Sequence, residues 1–147
     1  MVELKHSQIR TTILEEHERL RDRMKQLETS LDGRAGSSSA FPVALKGFLV
    51  EFLKHIAHEE ELLRPVLAQV DAWARQRVES LDREHQDQRE KLSELAQMDP
   101  PADAQAFVAR VREALEWIRL DMAGEEKTLL TPELLRDDII VIDSFGG

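Results

Sequence analysis

Apolar residues recur at alternating steps of three and four positions along four long segments of this 147-residue chain. Such spacing puts apolar side chains on one face of an α-helix. A Gly/Ser-rich stretch at residues 32–42, a short connection around Asp71 and a proline pair at Pro100 and Pro101 separate the segments. The pattern predicts four amphipathic helices whose buried faces carry Ile13, His17, Leu20, Met24, Leu27 and Leu31 in the first; Leu45, Phe48, Phe52, His55, Glu59, Leu62 and Val66 in the second; Val78, Leu81, His85, Gln88, Leu92 and Leu95 in the third; and Phe107, Val111, Ala114, Ile118, Asp121, Glu125 and Thr128 in the fourth.

The lengths of the connections indicate how the four helices are arranged. Short segments join helices two and three and helices three and four, and short connections favour antiparallel packing of neighbours along the chain. We therefore expect an all-α fold, an antiparallel up-down-up-down four-helix bundle. The bundle should occupy residues 1–136, and residues 137–147 should form a C-terminal tail.

Six positions on the predicted buried faces carry ionisable side chains instead of apolar ones. His17 and His85 lie near the starts of helices one and three, whereas the other four lie near the ends of helices two and four. In an antiparallel bundle those starts and ends are at the same height. The sequence therefore predicts a single buried layer that contains His17, His55, Glu59, His85, Asp121 and Glu125.

A buried layer of this kind needs positive charge. A carboxylate in a dry interior costs more free energy than the ~5–15 kcal/mol net stability of a domain, unless it is protonated, paired or bound to a cation. Arg89 could supply one charge, but only if it points inward. Two divalent metal ions would be neutralised by three carboxylates and a bridging hydroxide. The i,i+4 pairs His55/Glu59 and Asp121/Glu125 can each present two ligands from one helix face, so the six residues are candidate metal ligands.

Composition excludes several other kinds of site and partner. The chain has no Cys and no Tyr, which excludes disulfides, zinc–thiolate sites, iron–sulfur clusters and tyrosinate ligands. A formal net charge of −9 argues against a nucleic-acid or anionic-membrane partner. The N-terminus lacks the apolar core of a secretory signal, and no run approaches the ~20 apolar residues of a membrane span. We expect a cytoplasmic protein that binds neither nucleic acid nor membrane.

The chain also repeats itself weakly. HIAHEEELL, which starts at His55, aligns without a gap with DMAGEEKTL, which starts at Asp121. EEH, which ends at His17, parallels REH, which ends at His85. Two helical hairpins are therefore predicted to carry related halves of the site.

These residues resemble the motifs of hemerythrin-like (HHE cation-binding) domains over roughly Ile9 to Leu135. The resemblance implies a four-helix bundle with a central non-haem site for two iron ions joined by an oxo or hydroxo bridge. It also implies a role in oxygen binding, oxygen or iron sensing, or iron handling, with dioxygen or another small oxidant as the partner. The motifs are a histidine on helix one (His17), H-x-x-x-E-E-x-x-L-x-P from His55 to Pro65, the Glu84–His85 step, and E-E-x-x-L-L-x-P from Glu125 to Pro132.

Two positions depart from the family pattern. Asp121 stands where the fourth helix of the family usually offers His, and Arg89 stands where oxygen-carrying members have a second His on helix three. The predicted ligand set thus has three His and three carboxylates. Additional carboxylates stabilise ferric iron, so reversible oxygen carriage is less favoured than a site that rests oxidised or that takes zinc or manganese.

Three functions stay open on the sequence. The first is a di-iron protein that acts in oxygen or redox sensing, iron sensing or iron handling without dedicated turnover. The second is a carboxylate-rich di-iron enzyme of the oxidase or peroxidase type. The third is a metal-free helical interaction module with a degenerate site.

Three polar residues next to the predicted ligands are interpreted as peripheral. Glu60 and Glu126 point away from the predicted buried faces, and we interpret them as solvated charges. His58 lies just off the buried face, and we interpret it as a surface histidine. For each of them, contact with a metal ligand is the alternative.

The C-terminal tail breaks the helical period. Its sequence, DDIIVIDSFGG, contains four successive apolar β-branched residues between acids, which indicates an extended segment. We expect the tail to pack on the bundle or in a dimer contact, with docking to a protein partner as the alternative.

Overall fold

Four long helices make up most of the structure, a computed structural model that describes residues 4–31, 40–97 and 104–137. They are α1 (His6–Leu31), α2 (Ala40–Leu67), α3 (Ala74–Ala96) and α4 (Ala104–Thr128). Helix α1 packs against α2 and α4, and α3 packs against the same two helices. This confirms the predicted all-α class and the four-helix bundle.

The helix ends follow local sequence signals. Pro42 lies in the first turn of α2, where its missing N–H has no partner within the helix to lose. Between α2 and α3, the carboxylate of Asp71 accepts a hydrogen bond from the N–H of Trp73 at 2.8 Å. The Asp71 carbonyl accepts a second one from the N–H of Ala74 at 3.1 Å. Asp71 therefore closes the tight turn that lets α3 fold back along α2.

The apolar core is divided into two clusters by a layer of buried polar residues. The larger cluster joins the second half of α1, α2 from Phe41 to Ile56, the end of α3 and α4 from Val111 to Met122. The smaller cluster joins the start of α1, the end of α2, the start of α3 and the residues that follow α4. In both clusters the starts of some helices lie beside the ends of others, as expected for an antiparallel bundle. This arrangement places residues from all four helices at the level of the polar layer.

Some residues predicted on the buried faces lie beside them instead. Leu62 and Val66 are only partly buried, whereas their neighbours Leu63 and Leu67 are fully buried. On α4, Thr128 is exposed and Leu129 is buried. The reason is that a helix has 3.6 residues per turn, so a prediction that alternates steps of three and four can drift by one position at either end.

The chain continues past α4 with a short irregular segment that closes one end of the bundle. Leu129, Leu130, Leu134 and Leu135 are buried in the smaller apolar cluster. Asp137 ties this segment to the start of α1, because its carboxylate accepts hydrogen bonds from the N–H and hydroxyl of Ser7, at 2.9 and 2.6 Å. The rest of the predicted tail, residues 138–147, lies outside the described residues.

Candidate metal centre

The polar layer between the two apolar clusters contains five of the six predicted ligands. His17, His55, Glu59, His85 and Glu125 are each at most 4% exposed, and each helix supplies at least one of them. The sixth, Asp121, is only half-buried. The structure thus brings five predicted residues together from positions up to 108 apart in the chain.

Glu59 lies at the centre of this layer. Its Oε1 atom is 3.2 Å from Nε2 of His17 and 2.9 Å from Nε2 of His55. Its Oε2 atom is 2.8 Å from Nε2 of His85. One carboxylate therefore faces three imidazoles, with two of them on one oxygen and the third on the other.

The outer nitrogen of each imidazole contacts a carboxylate that sequence reasoning did not include in the site. Nδ1 of His17 is 2.9 Å from Glu126, Nδ1 of His55 is 2.7 Å from Glu16, and Nδ1 of His85 is 3.0 Å from Glu60. A carboxylate can only accept here, so each Nδ1–H donates and each Nε2 faces the centre. Carboxylates on the outer nitrogens of histidine ligands fix the ring orientation and tautomer at metal sites.

Each outer carboxylate has a second partner farther out. Glu126 accepts a hydrogen bond from Arg21 at 2.6 Å, and Glu60 accepts one from Arg89 at 2.8 Å. Glu16 contacts Nδ1 of His58. Arg89 therefore points away from the buried layer and does not supply the inward charge that the sequence left open. His58 and Glu60 are likewise not free surface residues, since each belongs to a chain of contacts that leads to an inner imidazole.

Glu125 is the least satisfied residue of the layer. It is 1% exposed, and within the described part of the chain neither of its carboxylate oxygens accepts a hydrogen bond. Nε2 of His17 is 3.3 Å from its Oε1, but outside hydrogen-bond geometry. His17, His55, Glu59 and Glu125 each offer one donor atom, and these four atoms lie within 4.8 Å of one another. Two imidazole nitrogens and two carboxylate oxygens at this separation suit a transition-metal ion.

Asp121 occupies the edge of the layer with two neighbours on α3. Its carboxylate accepts a hydrogen bond from Nε2 of Gln88 at 2.6 Å. Gln88 is 2% exposed, and its own amide oxygen has no donor among the described residues. Oε2 of Glu84, one turn before Gln88, likewise has no hydrogen-bond donor among the described residues. The structure therefore places Asp121 with Gln88 and Glu84, outside the group of four donor atoms around His17.

Electrostatics within the layer separates the acids into two kinds. Burial raises the pKa of Glu59, but its contacts with Glu125 and the three imidazoles lower it more. The pKa of Glu59 is therefore well below its ordinary value. Burial and repulsion from Glu59 raise the pKa of Glu125 well above its ordinary value. Burial opposes the charged form of His17, but contacts with Glu125, Glu126 and Glu59 raise its pKa to about 11. The raised pKa values of His17 and Glu125 both reduce the negative charge of the layer, and a metal ion would compete with protons for these groups.

A groove between α1 and α2 connects solvent with one side of the layer. It has a volume of about 920 Å³ and reaches His55, His58 and Glu16 at its inner end. Lys46 and Lys54 line its outer part. The groove gives an ion or a small molecule a route to the side of the layer that carries His55.

The donor chemistry of the layer fits a bound cation. Neutral imidazole and carboxylate are the ligands that iron, zinc and manganese take in proteins without cysteine. The matching observation in this structure is the pair of buried Glu125 oxygens that lack a donor, since buried polar atoms without a partner are rare in folded proteins.

Comparison with known families agrees with this geometry. Residues 8–131 match the family described as Hemerythrin HHE cation binding domain. The match spans all four helices and every residue of the layer. The chain belongs to this family. No curated protein and no solved structure matches it significantly.

Membership of the HHE cation-binding family confirms the resemblance that the motifs indicated and makes the chain a metal-cation-binding domain. The buried His/Glu cluster is where the structure offers a cation its ligands. None of the helices within the described residues is long and apolar enough to cross a membrane.

Proposed function

We propose that this chain is a non-haem di-iron protein that acts in oxygen or redox sensing, iron sensing or iron handling, without dedicated turnover. The observation that carries the proposal is the convergence of three imidazoles on Glu59, each with its outer nitrogen held by a separate carboxylate. A polar core that served only for packing specificity would not need three such chains of contacts. A histidine that binds a metal does need such a contact, because the lone pair of its inner nitrogen must point at the ion.

Glu59 would hold both ions, since its two oxygens face imidazoles from different helices. His17, His55, Oε1 of Glu59 and Glu125 would hold the first ion. His85 and Oε2 of Glu59 would hold the second, with Asp121 as the further predicted ligand from α4. Iron in these positions would supply one-electron redox chemistry and affinity for dioxygen or another small oxidant.

The chain's own residues perform two tasks around these positions. Glu16, Glu60 and Glu126 keep a proton on the outer nitrogens of His55, His85 and His17 and so keep the inner nitrogens available as ligands. The apolar clusters above and below the layer exclude water on both sides. The groove that reaches His55 and His58 gives access to one side of the layer.

Iron loading tests the proposal directly. Protein freed of metal, given ferrous iron in air and cleared of excess, should contain about two iron ions per chain and absorb like an oxygen-bridged ferric pair. Chelation of the ions should lower the melting temperature, because the ions bind only the folded chain. Sustained consumption of ferrous iron or peroxide would instead favour the enzyme alternative.

A matched pair of histidine variants controls for non-specific binding. His17→Gln removes an inner imidazole and should reduce iron content to less than half of the wild-type value. His6→Gln makes the same change on the same helix, near its start and away from the layer, and should leave iron content unchanged. Equal iron content in the two variants would contradict the assignment.

A further inference from the structure

Buried oxygen atoms without a hydrogen-bond donor gather on the α3/α4 side of the layer. Among the described residues, four such atoms lie on this side: Oε2 of Glu84, Oε1 of Gln88 and both carboxylate oxygens of Glu125. One other such oxygen, Oε2 of Glu51, lies elsewhere, 2.6 Å from the guanidinium of Arg23. Gln88 and Glu125 are 2% and 1% exposed, so water does not satisfy them from the surface. Four such atoms in one place are unusual in a folded protein, because each unpaired buried acceptor costs free energy.

The helical spacing explains why these atoms face one another. Glu84 and Gln88 are one turn apart on α3, and Asp121 and Glu125 are one turn apart on α4. The two helices pack together, and the hydrogen bond of 2.6 Å from Gln88 to Asp121 joins the two pairs. The two i,i+4 pairs therefore place four oxygen-bearing side chains along the contact between α3 and α4.

The charges of Glu84, Asp121 and Glu125 also favour a bound cation. No lysine or arginine of the described residues forms an ion pair with Glu84, Asp121 or Glu125. In the described part of the chain, the ion-pair contact of these three acids is with an imidazole, that of His17 at 3.3 Å from Glu125, and a bound cation would offset their negative charge.

We propose that Glu84 and Gln88 join His85, Glu59 and Asp121 at the second ion position, and make it an oxygen-rich position between α3 and α4 that takes a hard divalent ion such as Mn²⁺. Glu125 would contribute to this position as well as to the one near His17. This inference deepens the proposed function, on which it rests, by making the two metal positions chemically unequal. The position near His17 and His55 offers two imidazole nitrogens and suits Zn²⁺ or Fe²⁺. The position near Glu84 offers mainly carboxylate and amide oxygens, which Mn²⁺ prefers to nitrogen-rich sites.

The test fills the two positions one after the other. One equivalent of Zn²⁺ is added to the metal-free protein to occupy the imidazole side, and Mn²⁺ is then titrated while the electron paramagnetic resonance signal of free Mn²⁺ is followed. The wild type should bind about one Mn²⁺ per chain after Zn²⁺. Glu84→Gln should weaken Mn²⁺ binding by about tenfold or more, and should leave the Zn²⁺ affinity within about twofold of wild type.

Two further variants separate a lost ligand from a change of net charge. Glu90→Gln removes the same charge from an exposed position on the same helix, and Mn²⁺ affinity should not change. Gln88→Leu removes a neutral oxygen and keeps the net charge, and Mn²⁺ affinity should fall. Crystals of wild-type protein prepared with both ions should show anomalous scattering from manganese between Glu84 and Asp121.

The possible failures can be told apart. If Zn²⁺ binds with wild-type affinity and Mn²⁺ binds equally well to wild type, Glu84→Gln and Gln88→Leu, the oxygen-rich position is refuted and the proposed function stands. If the wild type binds neither ion and also takes up no iron, both proposals fail together. Manganese located beside His17 and His55 in the crystal would also overturn the assignment.

Discussion

The α1/α2 half and the α3/α4 half of the polar layer are built from similar sequences but differ in how completely their polar atoms are paired. In the first half, His17, His55 and Glu59 are linked to one another and, through Glu16 and Glu126, to the exterior. In the second half, Glu84, Gln88 and Glu125 keep oxygen atoms without a donor within the described residues. The weak internal repeat thus gives two halves of related geometry but unequal chemistry.

The two halves therefore differ in what they can bind because of their donor sets more than because of their helix spacing. His55 and Asp121 occupy equivalent places in the repeat, four residues before Glu59 and Glu125. The imidazole of His55 joins the centre, whereas the shorter side chain of Asp121 remains at the edge with Gln88. Substitution of one ligand type therefore shifts an entire half from nitrogen toward oxygen.

Removal of the shared carboxylate should have the largest effect on both halves. Glu59→Gln eliminates the negative charge that faces all three imidazoles, and we expect more than about a 100-fold loss of affinity for both ions. Glu61→Gln, an exposed change two residues later, serves as the control and should bind like wild type. Calorimetric titration with Zn²⁺ and then Mn²⁺ measures both affinities. Loss of only one ion would contradict the central position of Glu59.

The outer carboxylates should divide the two halves. Glu16→Gln releases the ring of His55 and should weaken the first ion, whereas Glu60→Gln releases the ring of His85 and should weaken the second, each by about tenfold or more. The same sequential titration reports both effects. If both variants weakened the same ion, the assignment of one ion to each oxygen of Glu59 would be wrong.

Acidity should affect the stability of the second half through Glu84. Its pKa in the folded chain, about 7, is above the ordinary value of 4.5, so the ionised carboxyl destabilises the fold above pH 7. Below about pH 4.5 the carboxyl is protonated in both states, and the penalty disappears. Without metal, Glu84→Gln should therefore stabilise the protein at pH 8 by roughly 1–2 kcal/mol, after allowance for partial exposure.

Denaturant unfolding of the two proteins at pH 8 and pH 4.5 measures this effect. The gain from Glu84→Gln should shrink as the pH falls from 7 toward 4.5. A gain that is the same at both pH values would show that Glu84 is not held as an acid of raised pKa.

The smallest effect is expected at the solvent edge of the second half. Arg89 is 47% exposed and Glu60 is 35% exposed, and exposed ion pairs contribute little. Arg89→Gln should change Mn²⁺ affinity by less than about threefold. Arg21→Gln provides the comparison in the first half, where Arg21 and Glu126 are 26% and 23% exposed, and should have a larger effect on Zn²⁺ affinity. The reverse order would mean that Arg89 has a more direct role than its geometry indicates.

Periodicity alone predicted the bundle and brought His17, His55, Glu59, His85 and Glu125 to the same level, because one face of each helix must be buried. It also predicted Asp121, four residues before Glu125, on the buried face. The structure buries Met122 fully and Asp121 only in part. A stripe that advances 3.6 residues per turn does not distinguish these two positions, and side-chain packing decides between them.

The outer carboxylates could not be assigned from single-helix reasoning, because each contacts a histidine on another helix. Glu16 on α1 contacts His55 on α2, Glu60 on α2 contacts His85 on α3, and Glu126 on α4 contacts His17 on α1. The signal that could have identified them is that each follows or precedes a predicted ligand by one position. A residue next to the buried face can reach around to the neighbouring helix.

The position of Glu59 between the two halves has a thermodynamic consequence. Two ions held as proposed would share one carboxylate, so occupancy on one side would alter the charge that the other side receives. Whatever factor the first ion imposes on the dissociation constant of the second, the second must return to the first, since linkage is reciprocal. The bundle would therefore respond to the joint availability of two cations and not to either concentration separately.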